Sequence, residues 1–377
     1  MIRNFIAAAC AAFLVVASQG PASAEGPREL PERIDWAITP SGNDSDDQVQ
    51  LTLSYRSGRG HSNWSNSTRL SELQGLDPAQ LASDDGSQVR FQIVRDAGRF
   101  DCDGIVRRER GTGECRFQPD AAFAAALAER GIERPTEAQH FQLALARVGL
   151  DLVDELERHN YPRPGIDDLV RAGIHGVSAD YVRGMTEAGY HVGAAEGLVE
   201  MRIHGVTPDY VRSLAEAGYR PETETLKRLA IHGVTTDYIR EMGAAGYREL
   251  SADDLVELRI HGVTPAFVRA LAAAGYRPGA EMIKRLAIHG VTADYLRDMA
   301  ELGYRDLSPE DLVGLRIHGV TTDYVRELRS LGYERLSADE LRRMRIHGVT
   351  ASFVRNRIRA GARLSPDELV RLRIHGG

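Results

Sequence analysis

The sequence predicts an α+β protein, a small antiparallel β domain followed by an α-solenoid of about seven to eight two-helix repeats. Three observations predict it. The tripeptide Ile-His-Gly occurs eight times at steps of 28 or 29 residues, and such self-similarity is typical of stacked supersecondary units. Segments before residue 119 alternate polar and apolar residues, as half-buried strands do. Glycines recur where helices of about ten residues would end.

Residues 1–24 have the features of a secretory signal peptide. Arg3 precedes an apolar run over 5–17, and Ala22-Ser23-Ala24 is a small-residue cleavage site. The run is short for a membrane span, which takes about 20 residues. A lipid anchor on Cys10 is disfavoured, because Ala7 stands where a lipoprotein signal has Leu. We therefore expect cleavage after Ala24, a periplasmic or secreted location and no membrane span in the mature chain.

Residues 25–118 are predicted to form the β domain. The segments Gln48–Tyr55 and Gln88–Ile93 alternate as strands do, and the connections are rich in Gly, Ser, Asn and Asp. We expect an antiparallel sheet of four or more strands, with a helical excursion over Leu70–Leu81.

The mature chain has two cysteines, Cys102 and Cys115, an even number for an oxidising compartment. Both lie in a predicted hairpin with arms at 99–106 and 113–117. A turn near Arg108 and Glu109 places the cysteines opposite each other, which predicts a disulfide. The alternative is a pair of buried free thiols.

A polar segment over 58–67 contains His61 and Trp64 and is predicted to be a loop. Two interpretations of Trp64 stay open: an aromatic side chain that contacts a ligand, or a tryptophan folded back over the sheet. The first suggests a small-ligand-binding or hydrolytic β domain, with the solenoid as a spacer.

Residues 119–163 are predicted to be a helical connector that caps the array. An Ala-rich helix over Ala121–Arg130 ends at Gly131, and Thr136 with Gln139 forms a capping box for a second helix. Terminal units of repeat arrays cover an apolar face that water would otherwise reach.

Residues 164–377 are the predicted array, and 307–333 is its clearest unit. Ser308 and Asp311 form a capping box, and His318 ends the helix before Gly319, a left-handed stop. Thr321 then caps a second helix, which Gly332 ends. The predicted apolar positions are Leu312, Val313, Leu315 and Ile317 in the first helix and Tyr324, Val325, Leu328 and Leu331 in the second.

The histidines of Ile-His-Gly form the histidine ladder. Packed helices lie about 8–10 Å apart, too far for equivalent histidines to share a zinc ion that needs ligands at about 2.0–2.1 Å. We interpret them as structural, because a histidine in the last turn suits the negative helix end; a pH-sensing ladder is the alternative. The histidines are His175, His204, His232, His261, His289, His318, His347 and His375.

The second helices carry further ladders. The arginine ladder, predicted to contact a partner, is Arg183, Arg212, Arg240, Arg269, Arg297, Arg326 and Arg355. An aromatic residue stands two positions before each arginine, and an aspartate precedes the aromatic wherever that is tyrosine. Phe267 and Phe353 lack the acid. This pattern suggests a Tyr-Asp-Arg network between repeats.

Several functional classes are disfavoured by the sequence. The net charge of −7 is finely mixed, which argues against a nucleic-acid partner. No Gly-x-Ser-x-Gly, His-Glu-x-x-His or phosphate-binding glycine loop occurs. We expect no enzyme activity, no metal and no cofactor.

The units Gly-Val-Thr-Pro-Asp-Tyr-Val-Arg (205–212) and Leu-Ser-Pro-Glu-Asp-Leu-Val-Gly-Leu-Arg-Ile-His-Gly (307–319) resemble a short helical repeat of Gram-negative bacteria. Similar repeats form tails on antirepressor metallopeptidases of the beta-lactam-sensor class. The resemblance covers roughly 164–377, and the peptidase motif and membrane spans of those proteins are absent. It implies a periplasmic sensing or scaffolding context. The architecture is similar to that of tetratricopeptide solenoids, which have a longer repeat.

Together these features predict an exported, non-enzymatic scaffold that binds a protein or peptide of unknown identity on one face of the solenoid.

Overall fold

The structure is a computed structural model that describes residues 29–41, 47–57, 60–359 and 364–376. The predicted signal peptide, including Cys10, lies outside the described residues. The described chain divides into two compact units: one contains the residues up to 182 together with 193–199, and the other contains 183–192 together with the residues from 200 onward.

The first unit contains a seven-stranded antiparallel sheet with strand order β3-β2-β1-β7-β6-β5-β4. The predicted antiparallel sheet is confirmed, with more strands than the minimum of four. The strands are β1 (Ile34–Pro40), β2 (Gln48–Ser57), β3 (Gly60–Arg69), β4 (Leu73–Gln74), β5 (Ser87–Arg95), β6 (Gly98–Arg107) and β7 (Arg110–Pro119).

The cysteine hairpin has the predicted geometry. Arg108 and Glu109 adopt positive φ values of 49° and 60°, as the central residues of a type I′ turn do. The turn pairs Cys102 of β6 directly with Cys115 of β7. The two cysteines form a disulfide with their Cα atoms 4.0 Å apart, which confirms the pairing.

The predicted helical excursion over Leu70–Leu81 is shorter than expected. A 3-10 turn over Leu70–Glu72 leads into β4, and helix α1 covers only Pro78–Ala82. Asp77 caps α1 by accepting a hydrogen bond from the Ala79 amide.

Trp36 is one of the most deeply buried side chains in the core of the first unit. Its indole is 1% exposed and donates a hydrogen bond to the Asp103 carbonyl at 3.0 Å. Gly104 and Gly113 pair across β6 and β7 beside the ring. A Cβ at Gly113 would lie 2.7 Å from the indole Nε1, so these two glycines make room for the tryptophan.

Helices α2 (Ala121–Glu129), α3 (Glu137–Leu145) and α4 (Leu150–Arg158) follow the sheet. Phe141 of α3 is fully buried and makes edge-to-face contacts with Tyr55, Phe100 and Phe117 of the sheet. Aromatic pairs of this kind contribute about 0.5–1.5 kcal/mol beyond area burial. The connector therefore packs on the β domain through Phe141.

The connector also has the backbone geometry of the repeats. Arg147 and Asn160 adopt positive φ values of 58° and 57° at positions that glycine takes one repeat later, Gly176 and Gly189. The amide of Val148 reaches back to the Leu143 carbonyl at 2.9 Å, as its counterpart Val177 does in the next unit. Helices α3 and α4 thus form a diverged repeat without the glycine signal.

The array consists of helix pairs of nearly uniform length. In the second unit each first helix packs on the next first helix, and each second helix on the next second helix, which gives two layers. The helices are α5 (Ile166–Ile174), α6 (Ala179–Glu187), α7 (Ala195–Ile203), α8 (Pro208–Glu216), α9 (Thr223–Ile231), α10 (Thr236–Ala244), α11 (Ala252–Ile260), α12 (Pro265–Ala273), α13 (Ala280–Ile288), α14 (Ala293–Glu301), α15 (Pro309–Ile317), α16 (Thr322–Ser330), α17 (Ala338–Ile346), α18 (Ala351–Arg359) and α19 (Pro366–His375).

This arrangement confirms the α+β class and the helical repeats. Within the described ranges, no helix has both the length and the apolar character needed to cross a bilayer.

Candidate partner-binding surface

Each first helix ends in the backbone motif that the glycines predict. At the end of α15 the Val320 amide donates to the Leu315 carbonyl at 2.8 Å, and the Gly319 amide donates to the Arg316 carbonyl at 3.0 Å. Gly319 has φ +72°, and the pair of bonds is a Schellman closure. The predicted left-handed stop is confirmed.

The histidines lie at these helix ends, but their rings do not close them. The His318 amide completes the helix by donating to the Gly314 carbonyl. Among the described residues, no side-chain hydrogen bond is recorded for the ladder histidines, which are exposed or half-exposed. The expected donation from imidazole to the last carbonyls is therefore not seen, and backbone amides bond the carbonyls of Gly314, Leu315 and Arg316.

The isoleucine before each histidine is exposed, contrary to the expectation for Ile317. Leu312, Val313 and Leu315 are buried as predicted, whereas Ile317 is 53% exposed. The same holds in every copy, with exposures of 50–57% at Ile174, Ile203, Ile231, Ile260, Ile288, Ile317, Ile346 and Ile374. A helix advances about 100° per residue, so Ile317 points roughly 140° away from Leu312 at the centre of the buried arc.

The tyrosines of the second helices join successive repeats. The Tyr324 hydroxyl donates to the Val349 carbonyl of the next repeat at 2.7 Å, and Tyr295 donates to Val320 at 3.2 Å. Tyr210 and Tyr238 make the equivalent bonds to Val234 and Val263. Burial raises the pKa of all four tyrosines to about 12.

A second set of tyrosines, those of the Gly-Tyr pairs, joins repeats at the opposite ends of the helices. Each hydroxyl donates to a backbone carbonyl about one repeat further along, as Tyr276 does to Leu307 at 2.8 Å. The other members are Tyr190, Tyr219, Tyr247, Tyr304 and Tyr333. Both sets therefore have a structural role in stacking.

The predicted arginine ladder is exposed but paired with acids. Arg240 and Arg297 bind the aspartate three residues earlier, at 2.7 and 2.8 Å, and Arg212 pairs with Asp209 in the same way. Arg326 also reaches Asp298 of the preceding repeat at 2.7 Å. Where the helix lacks the aspartate, the preceding repeat supplies an acid: Glu241 pairs with Arg269 and Glu327 with Arg355.

These contacts divide the suggested Tyr-Asp-Arg network in two. Tyr324 bonds a backbone carbonyl, while Asp323 pairs with Arg326 on the same helix. The Tyr324 hydroxyl and Asp323 thus have different partners, and these contacts do not explain why the acid is missing beside Phe267 and Phe353.

A different set of arginines, which was not predicted from the sequence, stacks on the tyrosines. The Arg316 guanidinium lies 5.0 Å from the centre of the Tyr295 ring, and Arg259 and Arg345 stack likewise on Tyr238 and Tyr324 at 4.9 Å. Each of these arginines directly precedes an exposed isoleucine. The recurring Arg-Ile-His-Gly was therefore the sequence pattern that could have identified these arginines.

His61 and Trp64 lie on strand β3 rather than in the predicted loop. Trp64 pairs with Leu53 of β2 and is half-buried, and the Arg147 guanidinium lies 5.9 Å from its ring centre. Trp64 is therefore a residue of the sheet itself, and its ring contacts an arginine of the connector. His61 is exposed at the start of the same strand, and the ligand-site alternative rests on the sequence alone.

Within the part of the chain that the structure describes, no group of three or more His, Cys, Asp or Glu side chains is arranged to hold a metal ion. No protein-family model matches the sequence, and no curated protein is significantly similar to it.

Proposed function

We propose that this chain is an exported, non-enzymatic scaffold that binds a protein or peptide through its repeat array. The observation that carries the proposal is the half-exposed isoleucine at the same place in every repeat. An exposed apolar side chain is ordinary when it is isolated, whereas an aligned series of them is typical of an interaction surface.

The proposed location outside the cytoplasm is supported by a separate observation. The disulfide between Cys102 and Cys115 suits an oxidising compartment, and we propose a periplasmic or secreted protein. The resemblance to the repeat tails of antirepressor metallopeptidases supports a role in envelope sensing or regulation.

The arginine ladder is part of the proposed surface. Its exposed ion pairs contribute only about 0–1 kcal/mol each, so a partner carboxylate can replace an internal one at little cost. Exchange of this kind gives selectivity and fast association more than affinity.

The test is crosslinking capture from the periplasm with the full chain as bait. Variants with Arg240, Arg297 and Arg326 changed to Gln report on the ladder, and an unrelated exported protein is the control bait. We expect a partner enriched over the control bait, with recovery reduced by the ladder variant. Absence of any enriched protein contradicts the scaffold, and equal recovery by the ladder variant rejects the arginine surface alone.

A further inference from the structure

The edge of the array at the ends of the first helices combines apolar and cationic groups. We name it the isoleucine edge and define it by four exposed isoleucines of the second unit and the arginines that precede three of them. Its isoleucines are Ile260, Ile288, Ile317 and Ile346, and its arginines are Arg259, Arg316 and Arg345.

The arginines of the edge lie between successive helix ends. A Cβ built at Gly290 would lie 3.0 Å from Nη2 of Arg316, and one at Gly319 would lie 3.2 Å from Nη2 of Arg345. Each guanidinium therefore sits beside the Ile-His-Gly turn of the preceding repeat while its own isoleucine follows it in sequence. Along the edge, apolar and cationic groups alternate.

These guanidinium groups lack a counter-ion among the described residues. No ion pair or side-chain hydrogen bond from Arg259, Arg316 or Arg345 is recorded there, and the Nε of each is buried without an acceptor. Their recorded contact is the tyrosine face. The aspartates on the neighbouring turns are already paired with the arginine ladder, as Asp294 is with Arg297.

The contrast between the two arginine sets decides the chemistry of the partner. The ladder arginines are neutralised by acids of the chain, whereas the edge arginines keep an uncompensated charge beside an exposed apolar side chain. A cation on an aromatic face presents its N–H groups outward in a plane that suits a carboxylate. A complementary partner therefore has acidic and apolar side chains in alternation along its length.

The spacing of the edge favours an extended partner. Packed first helices place equivalent isoleucines about 8–10 Å apart. A polyproline II segment has three residues per turn and a rise of about 3.1 Å per residue, so every third side chain returns to one face after about 9.3 Å.

We propose that the isoleucine edge binds an extended acidic peptide segment with an apolar side chain at every third position, its carboxylates on Arg259, Arg316 and Arg345. The proposal rests on the scaffold function and gives it a surface and a partner chemistry.

The test uses the full chain and synthetic peptides in a fluorescence-anisotropy titration. The probe is six repeats of Leu-Glu-Pro, with Leu-Lys-Pro and Ser-Glu-Pro peptides of equal length as controls. We expect saturable binding of the first peptide alone, weakened by salt. Binding of the lysine peptide at equal affinity, or of anionic phospholipid vesicles in place of the acidic peptide, overturns the proposal.

Variants assign the binding to the edge. Changing Arg259, Arg316 and Arg345 to Gln is expected to weaken binding by about tenfold for each arginine. Because that change also removes the stacking on tyrosine, a second variant changes Ile260, Ile317 and Ile346 to Ser, and it is expected to weaken binding at least tenfold.

The matched control changes Arg248, Arg277 and Arg305 to Gln, three exposed arginines that follow the Gly-Tyr pairs at the opposite ends of the helices, and is expected to stay within twofold of wild type. An effect of this control equal to that of the edge variants overturns the edge. The edge variants also enter the periplasmic capture experiment: full recovery of the partner by them rejects the edge and leaves the scaffold standing, whereas no enriched protein with any bait rejects the scaffold itself.

Discussion

Single hydroxyl groups hold successive repeats together. The Tyr324 hydroxyl is buried and donates to a carbonyl at the turn of the following repeat, a turn that each repeat also needs for its own helix end. A hydrogen bond of this kind contributes about 0.5–1.5 kcal/mol. Since each joins two repeats, it acts on the interface on which short helices depend.

The chain offers a reciprocal test of this role. Tyr324→Phe is expected to lower the free energy of unfolding by about 0.5–1.5 kcal/mol. Phe267 stands at the equivalent position without a hydroxyl, and Phe267→Tyr is expected to add a bond to the next repeat and raise stability. Urea unfolding followed by circular dichroism measures both. Equal stability of all three proteins contradicts a stacking role for the hydroxyl.

The disulfide is a second residue-scale device. Changing Cys102 and Cys115 to Ser is expected to lower the stability of the β domain by about 2–4 kcal/mol, because the unfolded chain regains the freedom that the crosslink removes. Fluorescence of the buried Trp36 during urea unfolding reports on this domain. An unchanged midpoint is the outcome that speaks against a stabilising disulfide.

For single residues, the sequence predicted contacts correctly where a turn fixed the geometry. It predicted burial wrongly where a side chain was assigned to the core by its residue type alone. The Cys102–Cys115 pairing follows from a hairpin turn at Arg108 and Glu109, so it was predictable. Ile317 was assigned to the apolar face because it is isoleucine, although its position five residues after Leu312 turns it away from that face.

Among the elements, the ends of the first helices depend on backbone and glycine rather than on side chains. Val320 supplies the closing amide and Gly319 the left-handed conformation. The side chains of Ile317 and His318 make no contact in this closure, and both are exposed. Their recurrence in every repeat is therefore not explained by the turn, which is why we assign the isoleucines to a surface.

This assignment predicts that two neighbouring substitutions in α15 differ strongly in their effect on the free energy of unfolding. Leu315→Ala is expected to cost about 2–5 kcal/mol, because Leu315 is 1% exposed and its removal leaves a cavity. Ile317→Ser is expected to change stability by less than about 0.5 kcal/mol, as surface substitutions do. Thermal unfolding of both variants measures the difference. A large loss of stability with Ile317→Ser would show that the isoleucine packs inside the array.

The tyrosines of the second helices also make the array sensitive to alkali. Burial raises the pKa of Tyr238, Tyr295 and Tyr324 to about 12 from an ordinary value of 10.0. Below pH 10 both folded and unfolded chains keep the proton. Between pH 10 and 12 the unfolded chain loses it first, so stability falls as pH rises, by at most about 1.4 kcal/mol per pH unit for each tyrosine.

Urea unfolding of the array at pH 9, 10 and 11 is expected to show this loss above pH 10. The variant with all three tyrosines changed to Phe is expected to have a shallower dependence. An identical slope in wild type and variant contradicts the role of these hydroxyls.

Two kinds of repeat alternate in part of the array: Lys227-Arg228-Leu229-Ala230 recurs 57 residues later as Lys284-Arg285-Leu286-Ala287. Where the edge arginine is replaced by Ala230 or Ala287, a lysine earlier in the helix joins the repeats instead. Lys284 of α13 binds Glu257 of α11 at 2.6 Å and also Glu281 of its own helix, and these two contacts raise its pKa. These units therefore also have a contact between successive repeats, an ion pair in place of an arginine stacked on tyrosine.

Over the whole molecule, the repeats were more predictable than the connector. Glycines, threonine caps and apolar spacing recur in each unit of the array, and every signal indicates the same structure. Helices α3 and α4 have the same backbone, but Arg147 and Asn160 replace the glycines. A left-handed arginine has no sequence signature, so the first repeat could not be recognised from its sequence.

The candidate surface was predicted less well than the fold. The arginine ladder was found because its members recur, yet its ion pairs with acids of the preceding repeat depend on how the helices stack. The stacking of Arg316 on Tyr295 joins residues from different repeats, so the recurrence of Arg-Ile-His-Gly marks these arginines but does not indicate their aromatic partners.

Site-specific photocrosslinking in the periplasm tests most directly the claim that the array binds a protein at the ends of its first helices. A photoreactive residue replaces Ile317 or Ile346 on the edge, or Val94, an exposed apolar residue of the β domain. The account predicts one discrete adduct from both edge positions, lost when Arg316 and Arg345 are changed to Gln, and none from Val94. Adducts from Val94 alone, or from neither region, would contradict it.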